Sequence, residues 1–225
     1  MLFRSVAVIS SLVSLAVARL DGFDVSGYQP NVNMAAEAQK GAKFVYIKAT
    51  EALNYKNPSF SSQYNGATQA GIVRGAYHFA QLQASTGAAQ ARYFAQNGGG
   101  WSRDGRTLPG MLDLEEGNGG QCHGKTPAAY VAWVKDFSDT YHSLVGRYPT
   151  IYTRAALWNT CTNSERSFGQ TNPLFIARYA SEVGPLPAGW SFWTFWQYAD
   201  SGKYAGDQDY FNGDASRLTA LANGS

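Results

Sequence analysis

The chain has 225 residues, 44% of them hydrophobic, enough for one domain with a sizeable core. Its formal net charge is +2, or +1 once Arg4 near the N-terminus is set aside. So weak a balance argues against nucleic acid as a partner. Arg4 precedes an apolar run from Val6 to Val17, and Ala16-Val17-Ala18 supplies small residues at the usual cleavage spacing. This is the pattern of a secretory signal peptide over residues 1–18, too short and wrongly flanked for a membrane span. Nothing later in the sequence is long enough to cross a bilayer. The expectation is an extracellular domain, residues 19–225, beginning at Arg19 or within two residues of it.

Gly22-Phe23-Asp24-Val25-Ser26-Gly27-Tyr28-Gln29 reads as a short strand running into a turn. Met34 to Lys40 is alanine-rich and helical, closed by Gly41. Phe44 to Glu51 is a second, largely buried strand. Pro58 to Ala70 is a helix ending at Gly71, and Val73 to Ala80 a third strand. Ala84 to Gln96 has helical spacing in Ala88, Ala91, Phe94 and Ala95, and Gly98-Gly99-Gly100 stops it. Thr107-Leu108-Pro109-Gly110-Met111 leads into Leu112-Asp113-Leu114-Glu115-Glu116-Gly117, a buried strand emerging at a polar rim. After a glycine-rich loop, Thr126-Pro127 has the form of an N-cap followed by proline at the first helical position. Tyr130, Val131, Val134, Phe137, Tyr141 and Leu144 then mark one helical face that Gly146 ends.

Pro149 to Thr153 is a fifth strand, after which the rhythm changes. Leu174 to Ala180 and Ser191 to Tyr198 are strands joined by a Pro- and Gly-rich connection with no room for a helix. Asp207 to Asn212 is a last short strand, and Asp214 caps a C-terminal helix. With no internal repeat or linker, this is one α/β domain of parallel β/α units. About eight strands suggest closure into a barrel whose last part lacks helices. In such barrels active residues gather at the C-terminal ends of strands, where Asp24, Glu51, Asp113, Glu115 and Asp207 fall.

Cys122 and Cys161 are the only cysteines, and in an exported protein the simplest reading is one disulfide. Two cysteines and three scattered histidines show no ligand spacing, so neither metal nor cofactor is expected. Asp113 and Glu115 share one strand face while Leu114 and Glu116 share the other. Two like carboxylates so placed resist ionising together, the division of labour that glycosidases use.

In order along the chain, Phe23-Asp24-Val25-Ser26 with Gln29, Tyr46-Ile47-Lys48-Ala49-Thr50-Glu51, Gly75-Ala76-Tyr77-His78-Phe79, Asp113-Leu114-Glu115, Trp196-Gln197-Tyr198 and Asp207-Gln208-Asp209-Tyr210-Phe211 resemble glycoside hydrolase family 25, the Chalaropsis-type lysozymes. The resemblance covers essentially the whole chain after residue 18. It implies an irregular TIM-like β/α barrel, five β/α units followed by three strands. It also implies a secreted N-acetylmuramidase that hydrolyses the β-1,4 bond after N-acetylmuramic acid in bacterial peptidoglycan. The family's acidic positions fall on Asp24, Asp113, Glu115 and Asp207, and where the family usually shows an asparagine this chain has Asp209.

Chemically, Glu115 fits a general acid, with Asp113 beside it stabilising charge. An i, i+2 spacing of roughly 6–7 Å is wide for direct attack by the second carboxylate. That leaves inversion through water or, the favoured reading, substrate assistance by the 2-acetamido group, which Asp113 or Asp207 orients. Tyr28, Tyr77, Tyr152, Trp196 and Tyr198, at strand ends, are candidates for stacking on sugar rings. Arg178, on an otherwise apolar strand, is expected to point to the groove or pair with an acid. Glu51 is left to Lys48 or solvent, Glu116 to a structural role, and His78 to the core. Two rival functions stand beside a muramidase acting as a monomer: a chitin-directed hydrolase, and a sugar-binding barrel without catalysis.

Overall fold

The computed structural model describes residues 19–117 and 119–225, so the signal-peptide reading of residues 1–18 lies outside it. In chain order the elements are β1 (Leu20–Val25), α1 (Met34–Gln39), β2 (Phe44–Glu51), β3 (Tyr55–Lys56), α2 (Phe60–Gln69), β4 (Val73–Phe79), α3 (Gly87–Gln96) and β5 (Met111–Asp113). They continue with α4 (Pro127–Val145), β6 (Thr150–Thr153), α5 (Ala155–Thr162), β7 (Leu174–Ala177), β8 (Phe195–Ala199), β9 (Asp207–Phe211) and α6 (Ala215–Ala222).

Apart from β3, which pairs only with the end of β2, the strands form a closed ring. Running around it are β1, β2, β4, β5, β6, β7, β8 and β9, and β9 returns to β1. From β1 to β8 the neighbours are parallel. β9 is antiparallel to both β8 and β1, because the tight β8–β9 connection leaves no room for a crossover helix. The expected five β/α units followed by three strands are all present.

Aromatic rings fill the lumen. Phe195 lies 5.1 to 5.4 Å, centroid to centroid, from Phe44, Tyr46, Phe175 and Phe211. This plug gives the site above it a rigid floor. Outside the ring, α3 packs on α4 so closely that a Cβ at Gly87 would collide with the Trp133 backbone.

The best-marked helix, α4, behaves as its sequence implies. Thr126 Oγ1 accepts from the Ala129 amide, Pro127 opens the first turn, and Gly146 ends it at φ 77°. Its buried face is Tyr130, Trp133, Val134, Phe137 and Tyr141, whereas Leu144 is exposed. α5 was not legible in advance: it is eight residues long and its N-cap, Arg154, makes no side-chain cap. Cys122 and Cys161 form the expected disulfide, with a Cα–Cα distance of 5.2 Å, tying the β5–α4 loop to the last turn of α5.

Candidate active site

At the C-terminal ends of the parallel strands lies a cavity of about 290 Å³. Each wall comes from a strand end. β1 and the turn after it give Asp24, Tyr28 and Gln29, β2 gives Lys48, and β4 gives Tyr77 and Phe79. β5 and the residues beyond it give Asp113 and Glu115, β6 gives Tyr152, β8 gives Gln197, and β9 begins with Asp207. Tyr179, just past β7, completes the rim. A larger cavity of about 510 Å³ opens where β7 and β8 begin and β9 ends, the opposite end of the barrel. Among the described residues no carboxylate side chain lines it, whereas four acids line the smaller one.

β5 is only three residues long, but its ladder continues one step, the Leu114 amide donating to the Tyr152 carbonyl at 3.0 Å. Alternation therefore persists past the strand end. Leu114 is buried, Glu115 turns into the cavity, and Glu116 faces outward to pair with Arg154 at 2.9 Å. The Asp113 and Glu115 carboxyls therefore stand side by side on one face, and each shifts the other's pKa. Asp113 Oδ1 is buried without a hydrogen-bond donor, which favours the protonated form of Asp113. Burial first, and then the Glu115 charge, push Asp113 well above the usual carboxylate range. Burial also raises Glu115 above its ordinary 4.5, against the pull of Asp113, Arg154 and Lys48. The two titrate as a pair.

Across the cavity Gln197 organises the other two acids. Its Nε2 donates to Asp24 Oδ2 at 2.8 Å and to Asp207 Oδ2 at 3.0 Å. Its Oε1 accepts from the hydroxyls of Tyr152 (2.7 Å) and Tyr179 (3.0 Å). All four hydrogen-bonding positions of the amide are used, which fixes its orientation. Burial and the neighbouring Asp207 charge raise Asp24 well above its ordinary range. Burial and Asp200 raise Asp207 to about 6. Asp24 does not cap the turn that follows it: Ser26 N donates to Gln29 Oε1 at 3.0 Å, and Gln63 Nε2 ties down the carbonyls of Ser26 and Gln29. That turn holds Tyr28 at the rim, 93% exposed.

The sequence profile of glycosyl hydrolases family 25 matches residues 23–207, from the strand bearing Asp24 to Asp207 itself. The chain belongs to glycosyl hydrolase family 25. It is therefore a glycoside hydrolase. It is 53% identical over 210 residues to the N,O-diacetylmuramidase of Chalaropsis sp, an alignment that spans 91% of this chain and all of that protein. The muramidase of Acremonium alcalophilum superposes with a TM-score of 0.89 at 57% identity, covering 92% of this chain and all of the other. A family 25 lysozyme from Aspergillus fumigatus gives 0.89 at 48% identity, covering 91% and 99%.

Within this family 25 site, Asp24, Asp113, Glu115, Asp207, Tyr28, Tyr77 and Tyr152 come together as the sequence suggested. Trp196, Tyr198 and Arg178 do not. β8 turns Gln197 inward, so Trp196 and Tyr198 lie on the outer face, Tyr198 stacked on Tyr210 at 4.2 Å. Trp196 is buried there with its Nε1 donating to the Arg178 carbonyl. β7 ends at Ala177, one residue before Arg178, whose exposed guanidinium reaches only the Val183 carbonyl, at 3.5 Å. Gln197, Tyr179 and Lys48 also line the cavity, although the sequence did not single them out as site candidates.

Two other expectations hold. Lys48 Nζ pairs with Glu51 Oε2 at 2.6 Å. His78 is fully buried between Thr50 and Gln90, each 2.8 Å away, and burial lowers its pKa to about 4, so it stays neutral.

The site acids hold their protons more tightly folded than unfolded, so they favour the folded state most at low pH. That advantage is lost as pH rises from about 4, where free carboxyls ionise, through about 6, where Asp207 does. Asp104 acts in the opposite sense. Against a burial penalty, the amides of Arg106 and Thr107 hold it down at about 2, so its contribution fades as pH falls below about 4. The thermal midpoint is expected to peak near pH ~4 and to decline toward neutrality. Calorimetry from pH 3 to 8 checks this, and a midpoint climbing steadily to pH 8 would contradict it.

Proposed function

We propose that this protein is a secreted N-acetylmuramidase, released from its 1–18 leader and acting as a monomer. Its reaction is hydrolysis of the β-1,4 bond between N-acetylmuramic acid and N-acetylglucosamine in bacterial peptidoglycan. The observation that carries the mechanism is the Asp113–Glu115 carboxyl pair at the cavity mouth. Glu115, with its raised pKa, keeps a proton in mildly acidic solution and passes it to the leaving oxygen as general acid. The exposed ring of Tyr28 and the walls of Tyr77, Tyr152 and Tyr179 offer faces for sugar rings. A non-catalytic sugar-binding barrel does not need the four acids that this cavity retains. Clearing of a bacterial cell-wall suspension, with mass spectrometry of the released ends, tests the reading. Reducing-end N-acetylmuramic acid is expected, and cleavage of chitin alone would favour the rival hydrolase.

Because Asp113 and Glu115 stand side by side on one face of the cavity wall, they do not flank the scissile bond as nucleophile and acid. Asp24 is recessed and already held by Gln197. These features support attack by the substrate's own 2-acetamido oxygen, with Asp113 or Asp207 orienting the amide. Attack forms an oxazolinium ion, and water opens it from the opposite face, giving net retention. Proton NMR in the first seconds should therefore show the β-anomer, and a substrate lacking the 2-acetamido group should be hardly cleaved. Initial α-anomer would establish water attack instead.

A further inference from the structure

Below the cavity floor lies a carboxyl that the reaction leaves unassigned. Asp209 follows Asp207 by two residues on β9, so it points to the same side one layer deeper. It sits opposite Gly22 of β1 and Gln197 of β8 and is fully buried. Neither of its oxygens receives an N–H or O–H donor. An ionised carboxylate in that position would be a buried charge with nothing to compensate it. The groups facing it make ionisation worse. Asp24 stands on β1 and Asp207 on β9, both acidic, while β2 offers only the Tyr46 hydroxyl, already directed to the Pro109 carbonyl at 3.0 Å. From β8, Gln197 is neutral and spends both its amide N–H bonds on Asp24 and Asp207. The neighbour of Asp209 is the Asp24 carboxyl: Asp209 pairs with Gly22 and Asp24 with Asp207, so the two acids stand diagonally on one face of the β1–β9 ladder, placed to share a carboxyl–carboxyl hydrogen bond. Two carboxyl groups can share such a bond only when one carries the proton. Asp24 is the one with another donor, so the proton falls to Asp209.

We propose that Asp209 is held inside the barrel as a neutral carboxylic acid that donates a hydrogen bond to Asp24, making it the positioning residue that keeps the Asp24 carboxyl aimed into the cavity. Asp24 then has two donors, Gln197 and Asp209, which act against the upward push of its burial and of the Asp207 charge. Both hydrogen bonds lower the Asp24 pKa, while burial and the Asp24 charge raise that of Asp209, in keeping with this division. The proton's residence on Asp209 follows from burial and geometry alone, whereas its service to catalysis rests on the reading of Asp24 as a site residue.

The experiment compares the wild-type protein with Asp209→Asn and Asp209→Leu. Asparagine can donate a hydrogen bond but cannot titrate, and leucine can do neither. The folded wild type keeps a proton that the unfolded chain releases above pH ~4. Its unfolding constant relative to D209N should therefore rise by up to about tenfold per pH unit until Asp209 ionises in the folded state. Denaturant titrations from pH 4 to 7 read this directly, and parallel curves for the two proteins would overturn the neutral Asp209. In cell-wall clearing, D209L should lose activity by about tenfold or more, its acid limb moving to higher pH, while D209N restores turnover to within about threefold of wild type. Equal turnover in D209L and D209N would overturn the service to Asp24. Full activity of Asp24→Asn together with an intact unfolding difference would instead place the failure in the catalytic reading of Asp24.

Discussion

Glu115→Gln is expected to fold normally and to lose about 10²–10⁴-fold in turnover, because an amide of the same shape has no proton to give the leaving oxygen. The fold should tolerate the change. Glu115 is only partly buried, and a glutamine N–H can still meet the Asp113 carboxyl. Glu116→Gln is the matched control. Its carboxylate lies on the outer side in an exposed pair with Arg154, worth about 0–1 kcal/mol, and most activity should remain. Initial rates of cell-wall clearing, with circular dichroism to verify folding, measure both. Half the wild-type rate in the first variant would remove Glu115 from its role. Equal losses in the two would mean that alternation past β5 does not orient the chemistry.

The second large effect concerns Cys122–Cys161, which closes a loop with a sequence separation of 39. On the chain-entropy account, opening it costs about 4 kcal/mol at most. For a chain of this size that corresponds to a fall of roughly 10 °C in the thermal midpoint. Activity should suffer as well. His123, next to Cys122, is buried and its Nε2 lies 2.8 Å from the Glu115 carbonyl oxygen, so the bonded loop braces the backbone of the proposed acid. Cys122→Ser/Cys161→Ser, followed by calorimetry and initial rates, checks both consequences. An unchanged midpoint would show that the loop holds itself without the bond.

Much of the fold is legible in the sequence because its signals are local. Apolar runs of five to eight residues separated by capped helical faces mark the strands, and four acids at strand ends mark the cavity. What escapes has physical reasons. In Phe195-Trp196-Gln197-Tyr198 large side chains occupy both parities, since a barrel strand is covered on both faces. No alternation says which residue faces the lumen, and Trp196 and Tyr198 therefore look as eligible as Gln197. Arg178 misses the groove by one residue, within the ordinary uncertainty of a strand end. Gln197 and Tyr179 act by hydrogen bonding across the ring, to partners distant in sequence. His123 adopts φ 53° in a glycine-rich loop that offers no period to read. The alternation that pairs Asp207 with Asp209 is visible, but depth within the barrel is not.

The last strand closes on the first. β9 pairs with β1 from Leu20–Phe211 to Asp24–Asp207, joining residues that lie at opposite ends of the domain. Contacts so remote along the chain carry the largest loop-closure entropy and form late in folding. The Asp24–Gln197–Asp207 cluster straddles this seam, whereas Asp113 and Glu115 sit near the middle of the chain. An intermediate with β1 still unpaired can hold the proposed acid but not the wall opposite it. Hydrolytic competence is thus tied to the final act of assembly, and a nascent or partly unravelled chain is silent toward the wall it is built to cut.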